Sequence, residues 1–132
     1  MADSALTRKL QIKPRQRLLL LNAPPGFAEQ LQPLPEGVEL ADRGDGEFDF
    51  VQLFVKNGEE LNRFVSTAIQ QVKHDGLLWI CYPKGSSKVQ TDLNRDLLSE
   101  MVEQFGWKSV SLVSLGNVWS AMRFRPADRV GK

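Results

Sequence analysis

Cysteine and histidine are almost missing from this chain of 132 residues, which has one of each, Cys81 and His74. A single cysteine excludes an intramolecular disulfide, and one cysteine with one histidine excludes a zinc cluster. Cys81 ends the apolar run Leu77–Cys81, where a free cysteine behaves as a small hydrophobic residue. We therefore expect a buried, unreactive thiol, and no residue is assigned as a metal ligand.

Long hydrophobic runs and an excess of one charge are also absent. Near the amino terminus the longest apolar run, Leu18–Leu21, is too short for a signal peptide core or a membrane span. The 17 basic and 16 acidic residues leave a net charge of +1, without the basic excess that usually accompanies duplex nucleic acid binding. We expect a cytoplasmic protein with no membrane association, for which nucleic acid is an unfavoured partner.

Apolar strand patterns alternate with helical patterns along the chain, which predicts α/β layering. The predicted strands are Arg17–Leu21, Gly37–Ala41, Phe48–Val55 and Leu77–Tyr82, and whether Val38–Ala41 joins the sheet stays open. The predicted helices are Ser4–Leu10, Phe27–Leu31, Asn57 to near Lys73, and Thr91 or Asp92 to Gly106. A hairpin around Gly116-Asn117 then joins Trp107–Leu115 to Val118–Arg125.

These patterns predict a three-layer α/β fold whose mostly parallel sheet carries a C-terminal antiparallel hairpin. Residues 1–126 are expected to form a single domain, and residues 127–132 a flexible polar tail.

The polar loop after Leu77–Tyr82 is the most informative stretch, because ligands usually bind at the carboxyl ends of parallel strands. It lacks the spacing of a phosphate-binding P-loop, but it and the helix after it carry several hydrogen-bond donors. The candidate anion- or ligand-binding residues are Lys84, Ser86, Ser87, Lys88, Thr91, Asn94 and Arg95. The alternative is a solvated loop in which Thr91 or Asp92 caps the following helix.

No catalytic residue is assigned, because the sole histidine does not complete a Ser-His-Asp set. His74 is expected at the C-terminal end of a helix, where an imidazolium is stabilised by the helix dipole. Arg123 and Arg125 are two apart on a predicted edge strand, so solvation or a salt bridge is favoured over anion recognition. Packing in the core or on the sheet is expected for Trp79, Trp107 and Trp119.

The order of elements resembles a shortened class I S-adenosylmethionine-dependent methyltransferase fold. The segments that carry the resemblance are Leu10–Leu20, Phe48–Val51, Lys73–Ile80 and the terminal hairpin. Phe48–Val51 resembles the start of the fourth strand of that fold, and Lys73–Ile80 resembles the start of its fifth. Only about 25 residues separate the first strand from Phe48, so the resemblance implies a Rossmann-like sheet that lacks the third strand and part of the N-terminal half.

The resemblance to methyltransferases also indicates which residues correspond to the cofactor-binding residues of that family. The family has a glycine-rich turn after its first strand, but this chain has Asn22–Gly26, in which Pro24 and Pro25 remove backbone donors. The family's acidic residue for the ribose follows the second strand, and Asp42 is its counterpart here. The resemblance thus implies Asn22 and Asp42 as cofactor-binding candidates, while the prolines disfavour S-adenosylmethionine, and no cofactor is expected.

A second resemblance is to a family of small bacterial proteins, a domain of unknown function. It rests on Leu21–Pro24, Phe48–Val55, Tyr82–Lys88 with Thr91–Asp96, and Trp119–Pro126, and it implies no particular activity. We therefore expect a non-catalytic ligand-binding or interaction module, with a small anionic ligand or a protein as its partner. Two alternatives remain, namely an enzyme that binds S-adenosylmethionine or a nucleotide, and a structural homo-oligomer that associates through the hairpin edge.

Overall fold

The computed structural model describes residues 5–43, 47–85 and 91–130. Its strands are β1 (Arg17–Leu21), β2 (Glu39–Ala41), β3 (Phe48–Phe54), β4 (Val72–Pro83), β5 (Trp107–Leu115) and β6 (Trp119–Pro126). Its helices are α1 (Ala5–Lys9), α2 (Phe27–Gln30), α3 (Gly58–Gln71) and α4 (Arg95–Glu103), and a 3₁₀ turn follows at Ala127–Arg129. None of the helices in these ranges has the length and apolar character needed to cross a membrane.

The strands form one mixed sheet in the order β2-β1-β3-β4-β6-β5. The first four of these are parallel to one another, and the hairpin β5–β6 joins β4 in antiparallel pairing. The predicted α/β class, the mostly parallel sheet and the terminal hairpin are confirmed. β2 pairs with β1 over three positions, so the segment whose place was open does join the sheet, as the edge strand next to β1.

Hydrophobic clusters cover both faces of the sheet. On one face the side chains of α3 and α4 pack on the strands, and on the other face those of α1 and α2 do so. Because both faces are covered, the inner strands are apolar at nearly every position, which is why they appear as continuous hydrophobic runs in the sequence. The parallel strands β1 to β4 end at one edge of this sheet, the carboxyl edge, and begin at the opposite one, the amino edge.

Asn57 caps α3, as the sequence predicts. Its Oδ1 accepts a hydrogen bond from the backbone N–H of Glu60 at 2.9 Å. The Glu60 carboxylate accepts one in return from the N–H of Lys56, the residue before the cap, at 2.8 Å. The start of α3 is therefore held by two reciprocal bonds, which fixes the chain where it leaves β3 at the carboxyl edge.

The cap of α4 differs from the expectation. The prediction of Thr91 or Asp92 is wrong, because Asn94 is the cap and its Oδ1 accepts from the N–H of Leu97 at 2.9 Å. Asp92 instead accepts from the backbone N–H of Gly58, the first residue of α3, at 2.8 Å. This hydrogen bond connects the segment before α4 with the start of α3.

The prediction that His74 ends a helix is also wrong. The helix α3 ends at Gln71, and Val72 already pairs with Phe48 as the first residue of β4. His74 therefore lies in the extended first part of β4, with its Nε2 3.4 Å from Oδ1 of Asp128. The polar segment has the composition of a turn, and in the structure it lies where the β3–β4 pairing shifts register, with Asp75 at a positive φ of 60°.

Gly76 occupies a crowded position where the pairing of β3 with β4 shifts register. A Cβ there would lie 3.0 Å from the carbonyl oxygens of Asp49 and Lys73, and equally close to Val72. We expect Gly76→Ala to lower the free energy of unfolding by about 1–3 kcal/mol, because backbone must move to admit the methyl group. Urea unfolding of Gly76→Ala and of the control Gly85→Ala, where nothing lies within 4 Å, measures this. Equal effects in the two variants would contradict the prediction.

Candidate functional site

A cleft of about 710 Å³ opens at the carboxyl edge, between the ends of β1 and β2. Asn22 directly follows β1 and Asp42 directly follows β2, and both line this cleft. Glu29 of α2 adds a second carboxylate. The rest of the lining is apolar or backbone, from Leu20, Ala23, Pro24, Gly26, Ala28, Leu40 and Ala41. The parallel pairing of β1 with β2 thus brings the two residues implied by the resemblance into one cleft.

The turn Asn22–Gly26 forms one wall of the cleft. Asn22 and Gly26 adopt positive φ, 59° and 84°, so the chain turns sharply out of β1 and into α2. The carbonyl of Pro24 accepts the N–H of Phe27 at 3.1 Å, which closes the turn. Since Pro24 and Pro25 have no N–H, this wall offers fewer backbone donors to a ligand than a glycine-rich turn would.

The cleft is acidic. Within the described residues its only ionisable lining groups are the carboxylates of Glu29 and Asp42. Carboxylates accept hydrogen bonds and attract positive charge, so they favour hydroxyl, amide and ammonium groups on a ligand. The same charges repel a phosphate or a carboxylate placed between them.

A second groove of about 400 Å³ adjoins the cleft and shares Asn22, Ala23 and Pro24 with it. Phe54 and Trp119 lie in its wall with ring centroids 5.1 Å apart and planes at 90°. The opposite wall comes from Lys56 and the first turns of α3. The sequence did not predict this groove, and Trp119 was assigned to packing. The one sequence feature that could have indicated this groove is the position of Phe54 at the carboxyl end of β3.

The predicted anion-binding residues lie elsewhere, and Ser86, Ser87 and Lys88 fall outside the described residues. Lys84 donates through Nζ to the hydroxyl of Ser114 on the hairpin. The Thr91 hydroxyl accepts the N–H two residues further on at 3.0 Å, the Asn94 side chain caps α4, and Arg95 is exposed. None of the described members lines the cleft, and the anion site in this loop stays a prediction.

Cys81 lies at the centre of the sheet and is fully buried. Burial raises the pKa of its thiol to about 12, and a hydrogen bond from Nε2 of Gln52 at 3.3 Å opposes this weakly. The prediction of a buried thiol is confirmed, and a thiol with so high a pKa is a poor nucleophile near pH 7.

Among the described residues no three His, Cys, Asp or Glu side chains are grouped so as to hold a metal ion.

Arg125 forms a bidentate ion pair with Asp75 at the amino edge. Nε and Nη2 of Arg125 each lie 2.9 Å from one carboxylate oxygen, so of the two favoured alternatives, solvation or a salt bridge, this arginine forms the salt bridge. The expectation that its strand is an edge strand is wrong, because β6 pairs with both β4 and β5. The hydrogen bonds from Arg125 hold the pKa of Asp75 below its ordinary value, although desolvation opposes them. Asp75 also adopts a positive φ of 60°, a conformation that asparagine tolerates, so Asp75→Asn removes the charge with little backbone strain.

Asp75→Asn is expected to lower stability at pH 7 and to have less effect in acid. The pKa of Asp75 is lower in the folded than in the unfolded chain, so its stabilisation is present above the unfolded-state pKa. That stabilisation disappears as the pH falls through the folded-state pKa. Urea unfolding of the variant and the parent at pH 7 and at about pH 3 measures the difference. An unchanged difference at the two pH values would contradict this linkage.

No protein-family model matches the chain, and a comparison with curated proteins finds no relative. Solved structures do match. A SAM dependent methyltransferase from Aquifex aeolicus superposes with a TM-score of 0.65 and 12% identity, over 90% of this chain and 86% of that one. The ribosomal protein L11 methylase from Lactobacillus delbrueckii subsp. bulgaricus gives 0.57 and 10%, over 90% and 73%. SMU.776, described as a methyltransferase and complexed with SAH, gives 0.56 and 8%, over 90% and 48%.

At these identities the similarity establishes the fold alone. The chain has a Rossmann-like, class I methyltransferase-like fold, as the order of its elements implied. β2 is the edge strand of the described sheet, at the place where the resemblance implied that a third strand is missing.

Proposed function

We propose that this protein is a non-catalytic binding module whose carboxyl-edge cleft holds a neutral or cationic ligand of nucleoside type. The observation that carries the proposal is that Asn22 and Asp42, which follow neighbouring strands, line one cleft together with Glu29. Carboxylate oxygens at that place suit the paired hydroxyls of a ribose. The apolar lining, with Leu40 and Ala41 on one side, suits the flat face of a base.

The size of the cleft and the similar structures support a ligand of this kind. Its volume of about 710 Å³ lies within the usual range for small-molecule pockets, roughly 300–1,000 Å³. SMU.776, which has the same fold, is complexed with SAH, a ligand that contains a nucleoside. The carboxyl edge of this kind of sheet is also where ligands of open α/β folds bind.

S-adenosylmethionine as a whole suits this site less well than a nucleoside alone. Its nucleoside half matches the carboxylates and the apolar wall, but its amino-acid carboxylate needs hydrogen-bond donors. The turn Asn22–Gly26 supplies few, because Pro24 and Pro25 lack an N–H. Glu29 and Asp42 repel that carboxylate, although they attract the sulfonium and ammonium groups of the same ligand. We therefore derive no methyl-transfer step for this chain and assign the cleft to binding.

Calorimetry with adenosine, AMP and S-adenosylmethionine tests the proposal. We expect adenosine to bind with a Kd of about 0.1 mM, from roughly 0.3 kcal/mol per non-hydrogen atom. AMP is expected to bind more weakly, because its phosphate would approach two carboxylates, and S-adenosylmethionine no more tightly than adenosine. Micromolar binding of S-adenosylmethionine would overturn the non-catalytic assignment, and no binding of adenosine would overturn the site.

An enzyme that uses S-adenosylmethionine is the second candidate. The groove beside the cleft favours it, because an acceptor lying against Phe54 and Trp119 would adjoin a donor at Asn22. Turnover distinguishes the two functions. Release of S-adenosylhomocysteine in the presence of an acceptor would support the enzyme, whereas adenosine binding without turnover supports the binding module.

Self-association through β5 is a separate proposal about assembly. Within the described residues β5 pairs on one side only, and Val110 and Leu112 on it are 39% and 43% exposed. Lys108 is its single charged residue, and a register shift interrupts the strand between Ser109 and Ser111. Beyond that shift, Ser111–Leu115 carries no charge that would oppose pairing with the same edge of a second copy. Sedimentation should show a dimer that Leu112→Lys converts to a monomer, and a monomeric parent protein would overturn the proposal.

A further inference from the structure

A groove of about 340 Å³ lies at the amino edge of the sheet, opposite the cleft. It is built from the start of β4, the segment before β1 and one side chain of β6. Its lining combines four basic side chains with two acidic ones. The basic ones are Lys13, Lys73, His74 and Arg123, and the acidic ones are Asp49 and Asp75.

Both acidic side chains already have partners. Asp49 accepts from Nζ of Lys73 at 2.9 Å and from the backbone N–H of Arg17 at 2.8 Å. Asp75 accepts hydrogen bonds from both Nε and Nη2 of Arg125. Neither Lys13 nor Arg123 forms a salt bridge within the described ranges, and Asp75, which attracts Arg123 electrostatically, is already hydrogen-bonded to Arg125. The groove thus has positive charge that the described side chains leave uncompensated.

The hydrogen bonding of Arg123 is also incomplete. Its Nη1 donates to the neutral amide oxygen of Gln11 at a long 3.3 Å, and its Nε is buried without an acceptor among the described residues. Desolvation lowers the pKa of Arg123 from its ordinary value, which indicates a cation in an unfavourable environment. A buried N–H without an acceptor costs free energy. An oxyanion in the groove would compensate the charge of the guanidinium, and a change of the Arg123 rotamer would bring its Nε–H to that acceptor.

We propose that this amino-edge groove binds a small oxyanion of the phosphate type through Arg123 and Lys13. Gly76 also lines the groove. The volume is ample for a phosphate group and also admits a phosphomonoester. The site is independent of the nucleoside cleft, which lies at the opposite edge and carries the opposite charge.

Inorganic phosphate, titrated at constant ionic strength and followed by ¹H–¹⁵N NMR, tests the proposal. We expect saturable shifts of the amides of Gln11 and Gly76 and of the Nε–H of Arg123. Lys13→Gln, which changes an exposed side chain, should raise the Kd about threefold. Arg123→Lys keeps the charge but loses the planar fork, and should raise it about tenfold. The control Lys108→Gln, an exposed lysine on β5, should leave the Kd unchanged.

Three results would overturn the proposal. These are shifts that do not saturate, shifts confined to the loop at residues 84–95, and an equal loss of affinity in Lys13→Gln and Lys108→Gln. A parallel titration with glycerol phosphate distinguishes the source of the phosphate. Tighter binding of the ester supports a phosphomonoester ligand, and equal or weaker binding supports free phosphate, while both results require the same groove.

Discussion

Replacing Trp79 by alanine is expected to lower the free energy of unfolding by about 3–5 kcal/mol. The side chain is fully buried in β4, inside the cluster that joins the sheet to α1 and α2. Its indole N–H also donates to the carbonyl oxygen of Leu10 at 3.1 Å, so truncation leaves both a large cavity and an unpaired acceptor. Because domains of this size are stable by about 5–15 kcal/mol, the variant would be close to unfolding.

Two further variants separate the effect of the lost hydrogen bond from that of the lost buried ring. Trp79→Phe keeps most of the ring but loses the bond to Leu10, and should cost about 1–2 kcal/mol. Trp119→Ala removes a tryptophan that is only partly buried at the carboxyl edge, and should cost less than Trp79→Ala. Urea unfolding followed by circular dichroism measures all three without relying on tryptophan fluorescence. Equal losses for Trp79→Ala and Trp119→Ala would contradict the central place assigned to Trp79.

Asp42→Asn is expected to weaken the binding of adenosine about 10- to 100-fold, the range for losing hydrogen bonds to a charged group. The carboxylate can accept from two ribose hydroxyls at once, whereas the amide offers one acceptor and an unwanted donor. Asp42 takes part in no hydrogen bond or ion pair with the described residues, so the fold should keep its stability. Calorimetry with the variant measures the loss of affinity.

The control for this variant is Asp96→Asn. Asp96 has a highly exposed side chain on α4 and does not line the cleft, so its neutralisation changes net charge equally without touching the ligand. An affinity that falls by the same factor in both variants would point to general electrostatics. An affinity unchanged in Asp42→Asn would remove this residue from the site.

Much of the fold was predictable because buried parallel strands have a direct sequence signature. The predicted strand Arg17–Leu21 is β1 with the same bounds, and the predicted helix before Gly106 is α4, which Gly106 follows with a positive φ of 85°. The start of β4 was not predictable, because Lys73, His74 and Asp75 are polar and lie in an irregularity between two paired positions, Val72 with Phe48 and Leu77 with Phe50. Local composition carries no information about such pairing.

The candidate sites also have a part that could be predicted from the sequence and a part that could not. Asn22 and Asp42 were implied by the resemblance to methyltransferases, which places cofactor-binding residues directly after the first two strands, and the structure brings both into one cleft. The groove at Phe54 and Trp119 and the incomplete bonding of Arg123 were not predicted, since they depend on side chains that meet across the sheet. Sequence patterns thus located the edge that carries the cleft, whereas the amino-edge groove required the three-dimensional arrangement.

A crystal structure of the protein grown with adenosine tests most directly whether the carboxyl-edge cleft is a nucleoside-binding site. We predict that the nucleoside lies between the ends of β1 and β2, with its ribose hydroxyls within hydrogen-bond distance of the Asp42 carboxylate and its base against Leu40. Adenosine found instead against Phe54 and Trp119, or a cleft that stays empty at saturating adenosine, would contradict it.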